Sequence, residues 1–179
     1  MVVPASGPQV YYSHGSEFKG PAAQLPPVDP AYIQKFFYRT IELIDKFQPD
    51  LLYFDDTVLP MYPGSDIGLR IAAYLYNTSL VRNGKVEAVL TGKQLNAEQR
   101  KAMLLDLERG VSSGGETLPW QTDTCIGEWH YRRSIFEQHR YKTPLQVVQM
   151  LIDIVSKNGN LMLSVPVRGD GTLDEDEVA

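Results

Sequence analysis

An apolar run in the first half of this sequence ends abruptly in two acidic residues. The run is Leu51-Leu52-Tyr53-Phe54, and Asp55 and Asp56 follow it at once. Bulky residues of this kind are typical of a buried strand, and in parallel α/β sheets the carboxyl ends of the strands carry the functional site. Asp55 and Asp56 are therefore candidates for catalysis. The alternative is that either residue caps a turn through nearby backbone N–H groups.

A second apolar run, Met103 to Leu107, ends in the same way at Glu108. Around both runs, strand-like and helix-like patterns alternate along the chain. Helices are predicted to begin at Asp29-Pro30, where the aspartate is the N-cap, at Ser65, and at Thr143-Pro144. Strands are predicted near Gln9–Tyr12, Leu51–Phe54, Val86–Leu90, Met103–Leu107, Leu118–Thr122 and Leu161–Val165.

This alternation predicts an α/β fold with parallel strands. The 179 residues are too few for a complete eight-stranded barrel, which typically needs about 250. Periodicity alone leaves two architectures open, a small doubly wound sheet and the later part of a (β/α)8 barrel.

Composition excludes several functional classes. The chain has 43% hydrophobic and 22% charged residues, as globular proteins do. Its net charge of −5 and the lack of a basic cluster argue against nucleic-acid binding. No apolar run approaches the roughly 20 residues of a membrane span, and the N-terminus does not resemble a signal peptide. Cys/His spacings for zinc and Gly-rich phosphate loops are both missing, so we predict no metal and no cofactor.

Four sequence blocks, in order, carry a resemblance to one family. The run from Glu42 to Asp55 resembles the nucleophile segment of the glycoside hydrolase family 29 α-L-fucosidases. Pro119 to Tyr131 resembles the tryptophan-rich segment of that family. Lys157 to Leu163 and Asp170 to Thr172 resemble its last barrel strand and the loop that follows. The resemblance implies that residues 1–179 are the later part of an incomplete, TIM-like (β/α)8 barrel, as a single catalytic domain truncated at both ends.

The resemblance also implies a reaction, the retaining hydrolysis of terminal α-L-fucosyl residues through a covalent glycosyl-enzyme. That reaction needs two carboxyl groups about 5–5.5 Å apart. Asp55 matches the position of the nucleophile. Glu108 is the preferred acid/base, because a strand end that is partly out of water favours the protonated form of a carboxyl group. Glu116, in the Gly-rich loop that follows, is the alternative, and an ion pair with Arg109 is the non-catalytic interpretation of Glu108. We expect the carboxyl groups of Asp55 and Glu108 to lie within about 5–8 Å of each other.

Aromatic residues in the tryptophan-rich segment are candidates for binding the sugar. Trp120, Trp129, His130 and Tyr131 offer rings for the apolar face of a pyranose and polar groups for its hydroxyls. For Trp120, a position in the hydrophobic core is an equally good interpretation. The substrate implied by the resemblance is a fucosylated oligosaccharide or glycoconjugate.

The sequence departs from the family in one respect. The family carries early barrel strands with histidines that hold the fucose hydroxyls, and this sequence has no counterpart of them. We therefore expect a fragment that hydrolyses fucosides slowly or not at all, and whose open sheet edges favour self-association. The alternative function is a non-catalytic carbohydrate-binding or structural module. The resemblance suggests a secreted, periplasmic or lysosomal location.

Overall fold

The computed structural model describes residues 29–55 and 58–178 of the chain. The chain divides into two compact units, residues 1–103 and 104–179. Each unit is described by itself below. The predicted strand near Gln9–Tyr12 lies outside the described residues.

The first unit alternates helices with short strands. Its elements are α1 (Pro30–Phe47), β1 (Leu51–Leu52), α2 (Ile67–Asn83), β2 (Val89–Gly92) and a 3-10 helix (Gln99–Lys101). As predicted, Asp29 is the N-cap of α1, and its carboxylate accepts a hydrogen bond from the backbone N–H of Ala31 at 2.9 Å.

Helix α2 begins one residue later than predicted. Asp66, and not Ser65, is the N-cap residue. The Ser65 hydroxyl still accepts a hydrogen bond from the Ile67 N–H at 3.2 Å, so it satisfies one of the unpaired donors of the first turn. The helix ends at Gly84, whose φ of 73° is left-handed, as the Asn-Gly pair indicates.

Strands β1 and β2 are parallel, with Leu51 opposite Val89 and Leu52 opposite Leu90. Apolar side chains from both helices, both strands and the connection after β1 form one buried core in this unit. Its members are Ile44, Leu52, Leu59, Met61, Ile67, Ile71, Leu75, Ala88 and Leu90. This core fixes where the carboxyl ends of β1 and β2 lie.

The second unit contains a parallel sheet of three strands. Its elements are β3 (Leu104–Asp106), β4 (Trp120–Cys125), α3 (Arg133–Glu137), α4 (Pro144–Ser156), β5 (Gly159–Ser164) and α5 (Glu175–Val178). Strand β4 pairs with β3 on one side and with β5 on the other. Helix α4 starts with a capping box between Thr143 and Gln146, which confirms the predicted start.

Trp120 anchors the sheet of the second unit to α4. Its side chain is 1% exposed, and the indole N–H donates to the Lys157 carbonyl at 2.9 Å. A Cβ atom at Gly159 would lie 2.6 Å from the indole ring, so β5 can pass the ring only with glycine at this position. The indole also lies close to Ile154 of α4, which is equally buried.

Parallel pairing is confirmed within each unit, but the strand boundaries differ from the prediction. The strand before Asp55 is two residues long, where four were expected. The next strand begins at Val89 instead of Val86, and the one with Trp120 continues to Cys125. No helix of the described residues has both the length and the apolar character needed to cross a bilayer.

Candidate active site

Asp55 lies just beyond the carboxyl end of β1, and its side chain is 62% exposed. The Lys93 ammonium group is 2.8 Å from its Oδ1 atom. The strand register explains this contact. Leu52 lies opposite Leu90, and Asp55 and Lys93 each come three residues later, beyond the paired positions, so they lie side by side.

Lys93 is held firmly by its surroundings. Only 12% of its side chain is exposed. A Cβ atom at the preceding Gly92 would lie 2.6 Å from the Val58 carbonyl oxygen, so the backbone is closely packed there. The following Gln94 has a left-handed φ of 56°, which a residue other than glycine adopts rarely and at a cost.

Lys93 is not among the site residues predicted from the sequence. The signal that could have found it is positional, because Lys93 directly follows β2 at the edge of the sheet where Asp55 follows β1. Asp106 was counted within the apolar run Met103 to Leu107, and its polar contact was not predicted. It is 2% exposed, and its carboxylate accepts a hydrogen bond from the Gln121 amide at 3.0 Å.

In the second unit, Glu108 lies in a turn at the carboxyl end of β3. It is exposed, whereas we expected it to be partly out of water, because the chain turns outward directly after Leu107. The backbone of this turn is well fixed. The Thr122 hydroxyl lies 2.8 Å from both the Leu107 and the Gly110 carbonyl oxygens, and the Leu107 N–H donates to the Gln121 carbonyl.

Arg109 connects the Glu108 turn to the loop after β4. Its φ is 49°, and its N–H donates to the Asp123 carbonyl at 2.8 Å. Its guanidinium group donates to the Cys125 sulfur at 3.4 Å and to the Glu128 carboxylate at 3.3 Å. It also lies over the Trp129 ring, 4.8 Å from the centroid.

Glu116 lies at the other edge of the same sheet. It precedes β4, its N–H donates to the Lys157 carbonyl, and its own carbonyl accepts from the Asn158 amide. Both partners precede β5, so these contacts are at the amino ends of the strands. The side chain is half-buried and accepts from the Ser112 hydroxyl at 2.7 Å, so Glu116 is held in place although it follows a Gly-rich run. Its edge is opposite to that of Glu108.

The predicted sugar-binding aromatics have different environments. Trp120 is a core residue, which is the alternative left open by the sequence, because it faces α4. Trp129 is half-buried beneath Arg109, and His130 beside it is exposed. Tyr131 is half-buried and accepts a hydrogen bond from Arg168; this contact and the Glu175 carboxylate raise the pKa of the guanidinium group.

A half-buried tyrosine, Tyr141, contacts the start of the loop that carries Trp129, His130 and Tyr131. A Cβ atom at Gly127 would lie 2.9 Å from the Tyr141 ring, so the loop starts in direct contact with that ring. The Tyr141 hydroxyl donates to the Asp174 carboxylate at 2.7 Å. Burial, followed by this hydrogen bond to an anion, raises the pKa of the phenol.

The structure thus brings the Glu108 turn and Trp129 together at the carboxyl edge of the second unit. Asp55 and Lys93 occupy the corresponding edge of the first unit. The expected distance between Asp55 and Glu108 stays a prediction. Nowhere in residues 29–55 and 58–178 do three or more His, Cys, Asp or Glu side chains form a group able to hold a metal ion.

Comparison with known proteins identifies the family. The model of the alpha-L-fucosidase family matches residues 7–179, which is nearly the whole chain. The chain belongs to the alpha-L-fucosidase family. The predicted resemblance is thereby confirmed. No curated protein matches the chain at a significant level.

Solved alpha-L-fucosidases share the fold. One is 23% identical to this chain, with a TM-score of 0.64, over 86% of this chain and 33% of its own. The Thermotoga maritima alpha-fucosidase is 24% identical, with a TM-score of 0.62, over 86% of this chain and 32% of its own. Isoenzyme 1 from Paenibacillus thiaminolyticus is 23% identical, with a TM-score of 0.60, over 91% and 39% of the two chains.

These similarities confirm the predicted fold class, an incomplete TIM-like barrel. This fucosidase-family chain spans about a third of the length of the solved structures that it matches. The similarity covers both described units.

Proposed function

We propose that this chain contributes the nucleophile and the acid/base to the retaining hydrolysis of terminal α-L-fucosyl residues. One observation carries the proposal most directly. In a chain of the alpha-L-fucosidase family, Asp55 presents an exposed carboxylate at the carboxyl end of a parallel strand, and Lys93 holds one of its oxygens. Since Lys93 engages Oδ1, we assign the attack to Oδ2.

The reaction proceeds in two steps. In the first, Asp55 attacks the anomeric carbon, the bond to the leaving oxygen breaks, and Glu108 gives its proton to that oxygen. In the second, a water molecule attacks the same carbon. The bond to Asp55 breaks, its electron pair returns to the carboxylate, and Glu108 takes the proton of the water.

The position of Glu108 supports its assignment over Glu116. Active sites of barrels lie at the carboxyl ends of the strands, and Glu108 follows β3 there. The contacts of Glu116 with Lys157 and Asn158 lie at the opposite edge of the sheet. Because the Glu108 side chain is exposed, it is accessible to a substrate that binds at this edge of the sheet.

We assign sugar binding to Trp129, His130 and Tyr131. The Trp129 ring is oriented by Arg109, and Tyr131 is oriented by Arg168. Both rings are therefore fixed before a sugar arrives, which reduces the entropy that binding costs.

Related proteins make a covalent intermediate a reasonable expectation. A family 29 α-L-fucosidase from Bacteroides thetaiotaomicron was trapped as a covalent intermediate with 2-fluoro-fucosyl fluoride. A Thermotoga maritima variant is an α-L-fucosynthase.

The same reagent tests the proposal on this chain. We expect prolonged incubation with 2-fluoro-fucosyl fluoride to add one fluorofucosyl group, detected by intact mass and mapped by peptide sequencing to Asp55. One turnover suffices for this readout, so slow catalysis does not hide it. Asp55→Ala should remain unlabelled. The matched control is Asp50→Ala, because Asp50 is an exposed aspartate of the same unit that pairs with Arg82.

Two results would contradict the proposal. Labelling of a residue other than Asp55 would remove Asp55 as the nucleophile. Binding of fucose by the unmodified chain without any labelling would favour the alternative, a non-catalytic carbohydrate-binding module.

A further inference from the structure

The contact between Lys93 and Asp55 affects the two steps of the proposed reaction differently. The ammonium group lies 2.8 Å from the carboxylate, and the Lys93 side chain is 12% exposed whereas that of Asp55 is 62% exposed. A charge on a side chain as little exposed as that of Lys93 interacts more strongly with its neighbours than a fully solvated one does. Any change in the charge of Asp55 therefore changes the energy of this pair.

The charge of Asp55 changes twice in the retaining mechanism. In the free protein the carboxylate is an anion beside the ammonium group. In the glycosyl-enzyme it is a neutral ester, so the strongest attraction of the pair is lost. In the second step the anion forms again, because the electron pair of the breaking bond returns to the carboxylate.

The ammonium group therefore acts in opposite senses on the two steps. It stabilises the carboxylate before the first attack, which does not help that attack. It also stabilises the carboxylate as this departs from the anomeric carbon, and that interaction grows toward the second transition state. The second step gains most from Lys93.

We propose that Lys93 is a positioning residue that acts through Asp55 to accelerate hydrolysis of the glycosyl-enzyme. This inference rests on the proposed function. No additional reactant is involved, and Lys93 keeps its proton throughout. The strained backbone at Gln94 and the close packing at Gly92 fix the lysine in place for this role.

The experiment separates the two steps in the full 179-residue chain. The chain is labelled with 2-fluoro-fucosyl fluoride, excess reagent is removed, and loss of the label is followed by intact mass. We expect Lys93→Met to lose its label about tenfold more slowly than the unmodified chain, the effect of one charge-assisted hydrogen bond. Lys93→Met should acquire the label at least as fast as the unmodified chain.

Two further variants serve as controls. Lys93→Arg keeps the charge and should lose its label nearly as fast as the unmodified chain. Lys101→Met removes an exposed lysine of the same unit, which pairs with Glu98 instead, and should change nothing. Circular dichroism establishes that each variant is folded.

The remaining outcomes overturn the inference in distinguishable ways. Equal rates of label loss in Lys93→Met and the unmodified chain would remove Lys93 from the second step. A folded Lys93→Met that is never labelled would show a role in the first step or in sugar binding. Failure of the unmodified chain to be labelled would remove the proposed function and this inference with it.

Discussion

Asp55 and Glu108 both follow short apolar strands, but the protein fixes them in different ways. Lys93 of the neighbouring strand end holds the Asp55 carboxylate itself. In the case of Glu108, the backbone of the turn is held, by the Thr122 hydroxyl and by Arg109.

The difference fits the two roles that we propose. A nucleophile has to be aimed at a single atom, and a cation bound to one of its oxygens limits the directions in which the carboxylate can point. A general acid donates and accepts a proton in successive steps. A fixed turn keeps the exposed Glu108 at the carboxyl edge of the sheet for both steps.

The largest expected effect comes from removing the nucleophile. In a protein that also carries the early barrel strands, Asp55→Ala should lower the turnover of an aryl α-L-fucoside about 10⁴-fold or more, as loss of a nucleophile does in other enzymes. Added azide should restore part of the activity by taking the place of the carboxylate, with β-fucosyl azide as the product. Undiminished turnover in this variant would show that Asp55 is not the nucleophile, and the contrast between Asp55 and Glu108 would then have no functional meaning.

The next largest effect distinguishes the two glutamates. Glu108→Gln should slow hydrolysis of a fucoside with a poor leaving group about 10²–10⁴-fold, the usual contribution of general acid catalysis. Fucosyl fluoride should be affected much less, because fluoride departs without a proton. Glu116→Gln should leave both rates nearly unchanged. The reverse pattern would move the acid to the amino edge of the sheet.

A smaller effect is expected from loosening the turn that carries Glu108. Thr122→Val removes the hydroxyl that bonds to the half-buried Leu107 and Gly110 carbonyls, and of these the Leu107 carbonyl keeps the Gly110 N–H as a donor. We expect a loss of about 1–2 kcal/mol in the free energy of unfolding, measured by urea titration with circular dichroism. Thr40→Val is the control, since that hydroxyl bonds to a carbonyl within α1. An unchanged stability would show that the Leu107 and Arg109 N–H bonds hold the turn without the hydroxyl.

The smallest expected effect is on the pH dependence of stability. It comes from Tyr141, which contacts the loop that carries Trp129, His130 and Tyr131. The pKa of Tyr141 is raised in the folded protein, chiefly by burial and then by Asp174. A raised pKa contributes stability that is fully present below the unfolded value, near 10, and is lost as the pH rises through the folded value. From about pH 10 upward, the midpoint temperature of thermal unfolding should therefore fall less steeply with pH in Tyr141→Phe than in the unmodified chain. Identical pH profiles would contradict the assignment.

Local signals in the sequence predicted much of the fold. The Asp29-Pro30 and Thr143-Pro144 pairs place the starts of α1 and α4 correctly, because capping depends on neighbouring residues alone. Strand ends were placed less well. Leu51 to Phe54 are all apolar, yet pairing with β2 stops at Leu52, and pairing depends on a partner far away in the sequence.

The same distinction applies to the site. Asp55 could be chosen from a motif, whereas the lysine that binds it is 38 residues away and is revealed only by the strand register. Trp120 lies in the segment that resembles the tryptophan-rich segment of the family, but the glycine at position 159 makes room for its ring in the core. Which glutamate lies at which edge also depends on where β4 begins.

Two tryptophans, Trp120 and Trp129, are all that the chain contains, and both belong to the second unit. Their fluorescence therefore reports on that unit alone, while the first unit is silent at tryptophan wavelengths. Trp120 reports on the buried contact with α4, and Trp129 reports on the surface beneath Arg109. A spectroscopist thus has separate signals for the interior and the rim of one unit without introducing any label.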